Sequence, residues 1–141
     1  MWDSYLNGSG DIQVPLVRGD ERRSAVIHWL QAYHGPERTA WLQLVSTGLE
    51  LRAIGDDAFE ALDGIREQLE PSGWLIAVQG SRLDTYPSGM ARDMGGGFTV
   101  YITRIGQPAK DTVGTFEEAD PSLLATVAEQ REHWRRWRGR P

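Results

Sequence analysis

Two runs rich in β-branched and aromatic residues, Ser24 to Tyr33 and Arg38 to Thr47, meet at His34-Gly35-Pro36-Glu37. A glycine followed by a proline interrupts any regular element, so the two runs turn back on each other as an antiparallel hairpin. In the second run Trp41, Gln43 and Val45 alternate with Ala40, Leu42 and Leu44, a period of two that gives the hairpin two partly covered faces. Leu49 to Ile54 extends the sheet. Upstream, Ile12 to Val17 reads as a short edge strand, because Pro15 has no N–H to give to a ladder. Asn7-Gly8-Ser9-Gly10 before it reads as a flexible opening.

Past the hairpin the period changes. Asp57 with Glu60 three residues on resembles a capping box, and Phe59, Leu62, Ile65 and Leu69 then fall on one face of a helix that Pro71 ends. Trp74 to Val78 is a continuous apolar run, expected as a central strand buried on both sides. Phe98 to Arg104 alternates and is expected to pair with it. Asp120 as N-cap with Pro121 at the first helical position predicts a last helix, whose stripe is Leu123, Leu124, Val127, Ala128 and Trp134. The class is therefore α+β: a mainly antiparallel sheet with two helices packed on one face, residues 1–141 forming a single domain.

At 141 residues the chain is long enough to bury a real core. No apolar run reaches the roughly 20 residues that cross a bilayer, and the first residues carry no signal-peptide pattern. The expectation is a cytoplasmic protein with no membrane contact. The absence of cysteine excludes disulfides, thiolate catalysis and cysteine zinc sites. The net charge of −5 is uneven: residues 131–141 hold five arginines against Glu132, so the rest of the chain stands at −9. An acidic body disfavours nucleic acid and suits a basic partner. His28, His34 and Glu37 lack any repeated ligand spacing and read as surface polar groups, so no metal or cofactor is expected. The arginine- and tryptophan-rich end reads as a helix terminus docked on the acidic body.

Residues 80–97 separate the two later strands, where a plain hairpin takes about two to five residues. Ser88 can cap a short helical turn from Gly89 to Met94, with Gly95 closing it in a left-handed conformation. Met90 and Met94 would then share one face and pin the turn to the core. The ordered loop would present Arg82, Asp84, Tyr86, Ser88, Arg92 and Asp93 as binding residues. No Gly-x-Ser-x-Gly or P-loop pattern accompanies them, so no catalytic residue is assigned.

Tyr86-Pro87-Ser88-Gly89-Met90-Ala91-Arg92-Asp93-Met94-Gly95, with Gly97 and then Tyr101, resembles a motif of small bacterial proteins with no established activity. The resemblance covers about residues 74–104 and implies no activity here. Abundant Arg, Gly and Trp beside the single Lys110 look like a high-GC, actinobacterial source. The function expected is a small protein-binding module, in its sharpest form an immunity protein that neutralises a basic toxin. The alternative is a small enzyme or ligand-binding domain that holds an anionic small molecule at residues 80–97.

Overall fold

The computed structural model describes residues 4–139. Strands β1 (Ser4–Arg18), β2 (Glu21–His34), β3 (Glu37–Ser46) and β4 (Leu49–Gly55) form an antiparallel meander. A two-residue strand, β5 (Leu75–Ile76), joins beyond β1, so the sheet order is β4-β3-β2-β1-β5. The hairpin expected around residues 34–37 forms, with His34 opposite Glu37 and Leu30 opposite Trp41. The alternation in β3 also holds: Ala40, Leu42 and Leu44 are buried, their neighbours half-buried.

Helix α1 (Ala58–Leu69) covers one face of this sheet. Asp57 caps it, its carboxylate accepting from the Glu60 N–H at 2.7 Å. Ala58, Ala61, Leu62, Ile65 and Leu69 pack on Val14, Leu16, Ala25, Ile27, Leu42 and Leu44. This layer is the larger of the two buried apolar clusters. A 3-10 turn over Glu70–Ser72 contains Pro71 and stops the helix.

Several sequence expectations fail here for identifiable reasons. Gly8, Ser9 and Gly10 lie within β1, after a bulge between Leu6 and Gly8. A Cβ on Gly10 would stand 2.7 Å from the Trp29 indole, so glycine lets that ring lie flat against the strand. Trp74, Ile76, Ala77 and Val78 are buried and Leu75 half-buried, yet only Leu75 and Ile76 form a strand, on the end of β1, and Val78 makes an isolated bridge to Glu118. The Phe98–Arg104 run supplies β7 (Thr99–Ile102) instead, the middle of a second sheet with β6 (Thr85–Tyr86) and β8 (Thr112–Gly114).

Asp120 does cap Pro121, but only over a 3-10 turn, Pro121–Leu123. The chain is extended at Leu124, and helix α3 (Val127–Arg138) starts at Thr126, which forms a reciprocal capping box with Glu129. Its inner face is Val127, Gln130 and the half-buried Trp134, while Ala128 is exposed. With α2 (Gly89–Gly95), the described residues hold three helices, and α3 packs on α1 and β6. The class is mixed α+β with mostly antiparallel sheets. No described helix is long and apolar enough to cross a membrane.

Candidate functional site

Residues 80–97 connect the two sheets and are held by polar clamps. Ser88 caps α2, accepting from the Ala91 N–H at 3.0 Å. The left-handed cap is Gly96 (φ 68°), one residue later than the sequence suggested. Gly97 follows with φ 79°, and a Cβ there would stand 2.8 Å from the Phe59 nitrogen. The end of α2 thus abuts the start of α1, with the Ala58 N–H donating to the Gly96 carbonyl at 2.8 Å. Arg38 closes the same end, donating to the carbonyls of Arg92 (2.5 Å), Asp93 (3.1 Å) and Asp56 (2.8 Å). A cation at a helix C-terminus satisfies its unpaired carbonyls and its dipole.

This clamp corrects the expected role of the methionines. Met90 is 71% exposed and Met94 82% exposed. Four residues apart, they share one face of α2, and that face is turned to solvent. The arginines, capping groups and glycines hold the helix, so no apolar anchor is needed.

The six residues singled out from the sequence divide by environment. Arg82 makes two hydrogen bonds to Asp84, at 2.8 and 2.9 Å, and one to Gln79 at 3.0 Å. Arg92 pairs with the buried Asp57 at 3.3 Å and lies over the rings of Phe59 and Tyr86. Both guanidiniums are therefore engaged with carboxylates of their own chain and belong to separate pairs. Asp93 is exposed, its carbonyl taken by Arg38. Tyr86 is nearly buried, edge-on to Phe59 and stacked on Trp134. Ser88 acts as the helix cap.

Tyr86, Pro87 and Ser88 form one wall of a pocket of about 310 Å³, completed by Tyr101, Thr103, Pro108, Ala109, Trp134 and Trp137. Four aromatic rings and two prolines make its lining rigid, and no lining residue is charged. Thr103 is 2% exposed, and its hydroxyl has no hydrogen-bond partner. Arg138 lies over Trp134 at 4.6 Å, and the Trp137 indole N–H donates to the Gln107 carbonyl at 2.8 Å. The C-terminal helix is docked, and through it the tryptophans become pocket walls. The available signal was the spacing of Trp134 and Trp137, three apart in the chain. Arg140 lies outside the described residues.

Beneath the pocket is a buried polar hub absent from the sequence reading. Arg66 donates to Asp63 (3.0 Å), Gln130 (2.6 Å), the Ala125 carbonyl (2.8 Å) and the Gly80 carbonyl (3.3 Å). Gln130 in turn donates to the carbonyls of Gly80, Arg82 and Thr85. Burial pushes the Asp63 carboxyl up to about 6, although the guanidiniums of Arg66, Arg131 and Arg92 pull the other way. Burial also lowers Arg66, which its carboxylate neighbours oppose. The hub fixes the start of the 80–97 segment to α1 and α3. His28, by contrast, pairs with Asp11 at 2.6 Å on the far side of the sheet.

No protein-family model matches this chain, and no curated protein sequence matches it.

Proposed function

We propose that this chain is a protein-binding module whose partner docks on α2 and the adjoining aromatic pocket. The observation that carries this reading is the exposure of Met90 and Met94 on a helix clamped at both ends. A flexible, polarizable thioether pair on a rigid support offers apolar area to a partner, and methionine-rich faces adapt well to protein surfaces. The helix starts one residue after Ser88 of the pocket, so the two features form one continuous stretch of chain. Tyr and Trp in the pocket are residue types that anchor interfaces.

In its sharper form, the module is a cytoplasmic immunity protein that occludes a basic toxin. The −9 balance of the chain before residue 131 supports this through steering of an oppositely charged partner. The competing reading, an anion held by Arg82 and Arg92, is disfavoured because each guanidinium already has a carboxylate of its own.

The test is affinity capture from extract of the native host, comparing the wild-type chain with the double variant Met90→Ser and Met94→Ser. A protein retained by the wild type and lost by the variant, with both melting alike, supports the reading. The same proteins retained by both chains would overturn it.

A further inference from the structure

We propose that the pocket bounded by Tyr86, Tyr101, Trp134 and Trp137 takes an extended, proline-containing segment of the partner, flanked by acidic residues. This inference rests on the protein-binding reading of the same surface and adds the chemistry of what docks there. The lining is uncharged, aromatic and rigid, with Pro87 and Pro108 between the rings. Polyproline II segments are recognised in grooves of this kind, because a stiff ligand on stiff walls loses little freedom on binding. The hydrogen-bonding sense also matches. Tyr86 and Tyr101 stand in the lining, and each phenol can donate a hydrogen bond. A proline-rich backbone brings carbonyl acceptors with no internal bonds and few N–H groups that would need acceptors of their own.

The rim selects charge. Arg138 lies over Trp134 of the lining, and Lys110 follows Ala109 of the lining in the chain. Arg104 is paired with Asp111 and Arg135 with Glu132, so Lys110 and Arg138 carry the positive charge beside the pocket. A positive rim on an acidic body requires a docking segment of the opposite sign, even on a partner that is basic overall. Such paired patches of opposite sign fix the register of a complex.

The experiment is a titration of the full chain, followed by tryptophan fluorescence, with a peptide of repeated Pro-Pro-Glu units and a Gly-Ser-Glu peptide of equal charge. The Pro-Pro-Glu peptide should saturate and the control should not. Ala109→Glu, which adds a like charge at a half-exposed wall, should weaken binding by about tenfold with an unchanged melting temperature. Tyr101→Phe, which keeps the ring and removes the hydroxyl, should weaken it by a smaller factor. Equal binding of both peptides, no saturation by roughly 1 mM, or preferential binding of an oligothymidylate at the same residues would overturn the proposal. The Met90→Ser, Met94→Ser variant should bind the peptide as the wild type does. If the wild type captures a partner that this variant loses, but no chain binds the peptide, the partner reading stands and the pocket assignment fails.

Discussion

Tyr86 and Trp134 stack with their ring centroids 4.3 Å apart and their planes 17° from parallel. Arg92 lies over Tyr86 and Arg138 lies over Trp134, so a cation approaches each ring of the stacked pair. The contact joins the 80–97 segment to α3 and shapes one wall of the pocket. Trp134→Ala should destabilise the fold by about 2–3 kcal/mol, from lost burial and a poorly filled gap. Trp134→Phe, which keeps a ring for Tyr86, should cost about 1 kcal/mol. Urea denaturation checks both; equal losses would show that stacking contributes nothing specific.

Gln130 accepts from Arg66 and donates to three carbonyls in a buried setting. Gln130→Leu preserves size but takes an acceptor from the buried guanidinium and the amide donor from the Arg82 and Thr85 carbonyls, while Gly80 keeps Arg66. The expected loss is about 3 kcal/mol, again from denaturation. A loss near that of an exposed substitution would mean that water replaces the amide without penalty.

Asp63 gives the hub a pH signature. Its carboxyl is raised from 3.8 to about 6, chiefly by burial. The folded state therefore binds this proton more tightly than the unfolded chain. Stability conferred by the protonated form is present below about 4 and falls as pH rises to about 6, levelling above it, by about 3 kcal/mol in all. Asp63→Asn carries no titrating group. The stability of the wild type minus that of this variant should therefore decline between about pH 4 and pH 6. A difference that rises or stays flat over that range would contradict the assignment.

The start of α3 separates two caps that look alike in sequence. Thr126→Ala removes the reciprocal cap with Glu129 and should cost about 1 kcal/mol, read from the shift in urea midpoint. Asp120→Ala touches only the short turn before it and should cost about half as much or less. The opposite order would place the helix start at Pro121.

These caps also show what could be read without coordinates. The His34–Glu37 turn, the face of α1 and the capped turn at Ser88 all follow from local chemistry, since glycine, proline and hydroxyl caps act over three or four residues. Leu124 reads as helical by its apolar spacing, but a bridge to Arg82 holds it extended. Arg66 and Gln130 carry polar side chains on otherwise apolar faces, and only the meeting of α1, α3 and Gly80 gives them partners. The methionines mislead for a related reason. Apolar spacing on α2 says that Met90 and Met94 share a face, but Arg38, distant in the chain (54 and 55 residues from the carbonyls it holds), decides that the face need not be inward. Of the candidate residues, Tyr86 and Ser88 line the pocket, while Arg82, Asp84 and Arg92 form ion pairs.

The account stands most directly on whether a protein covers α2. Its test is methionine oxidation by dilute peroxide, read by mass spectrometry, for the free chain and for the chain with its captured partner. Met90 and Met94 should oxidise readily in the free chain and be protected severalfold in the complex, with the melting temperature of the free chain unchanged by Met90→Ser and Met94→Ser. Equal oxidation rates with and without the bound partner would contradict the account.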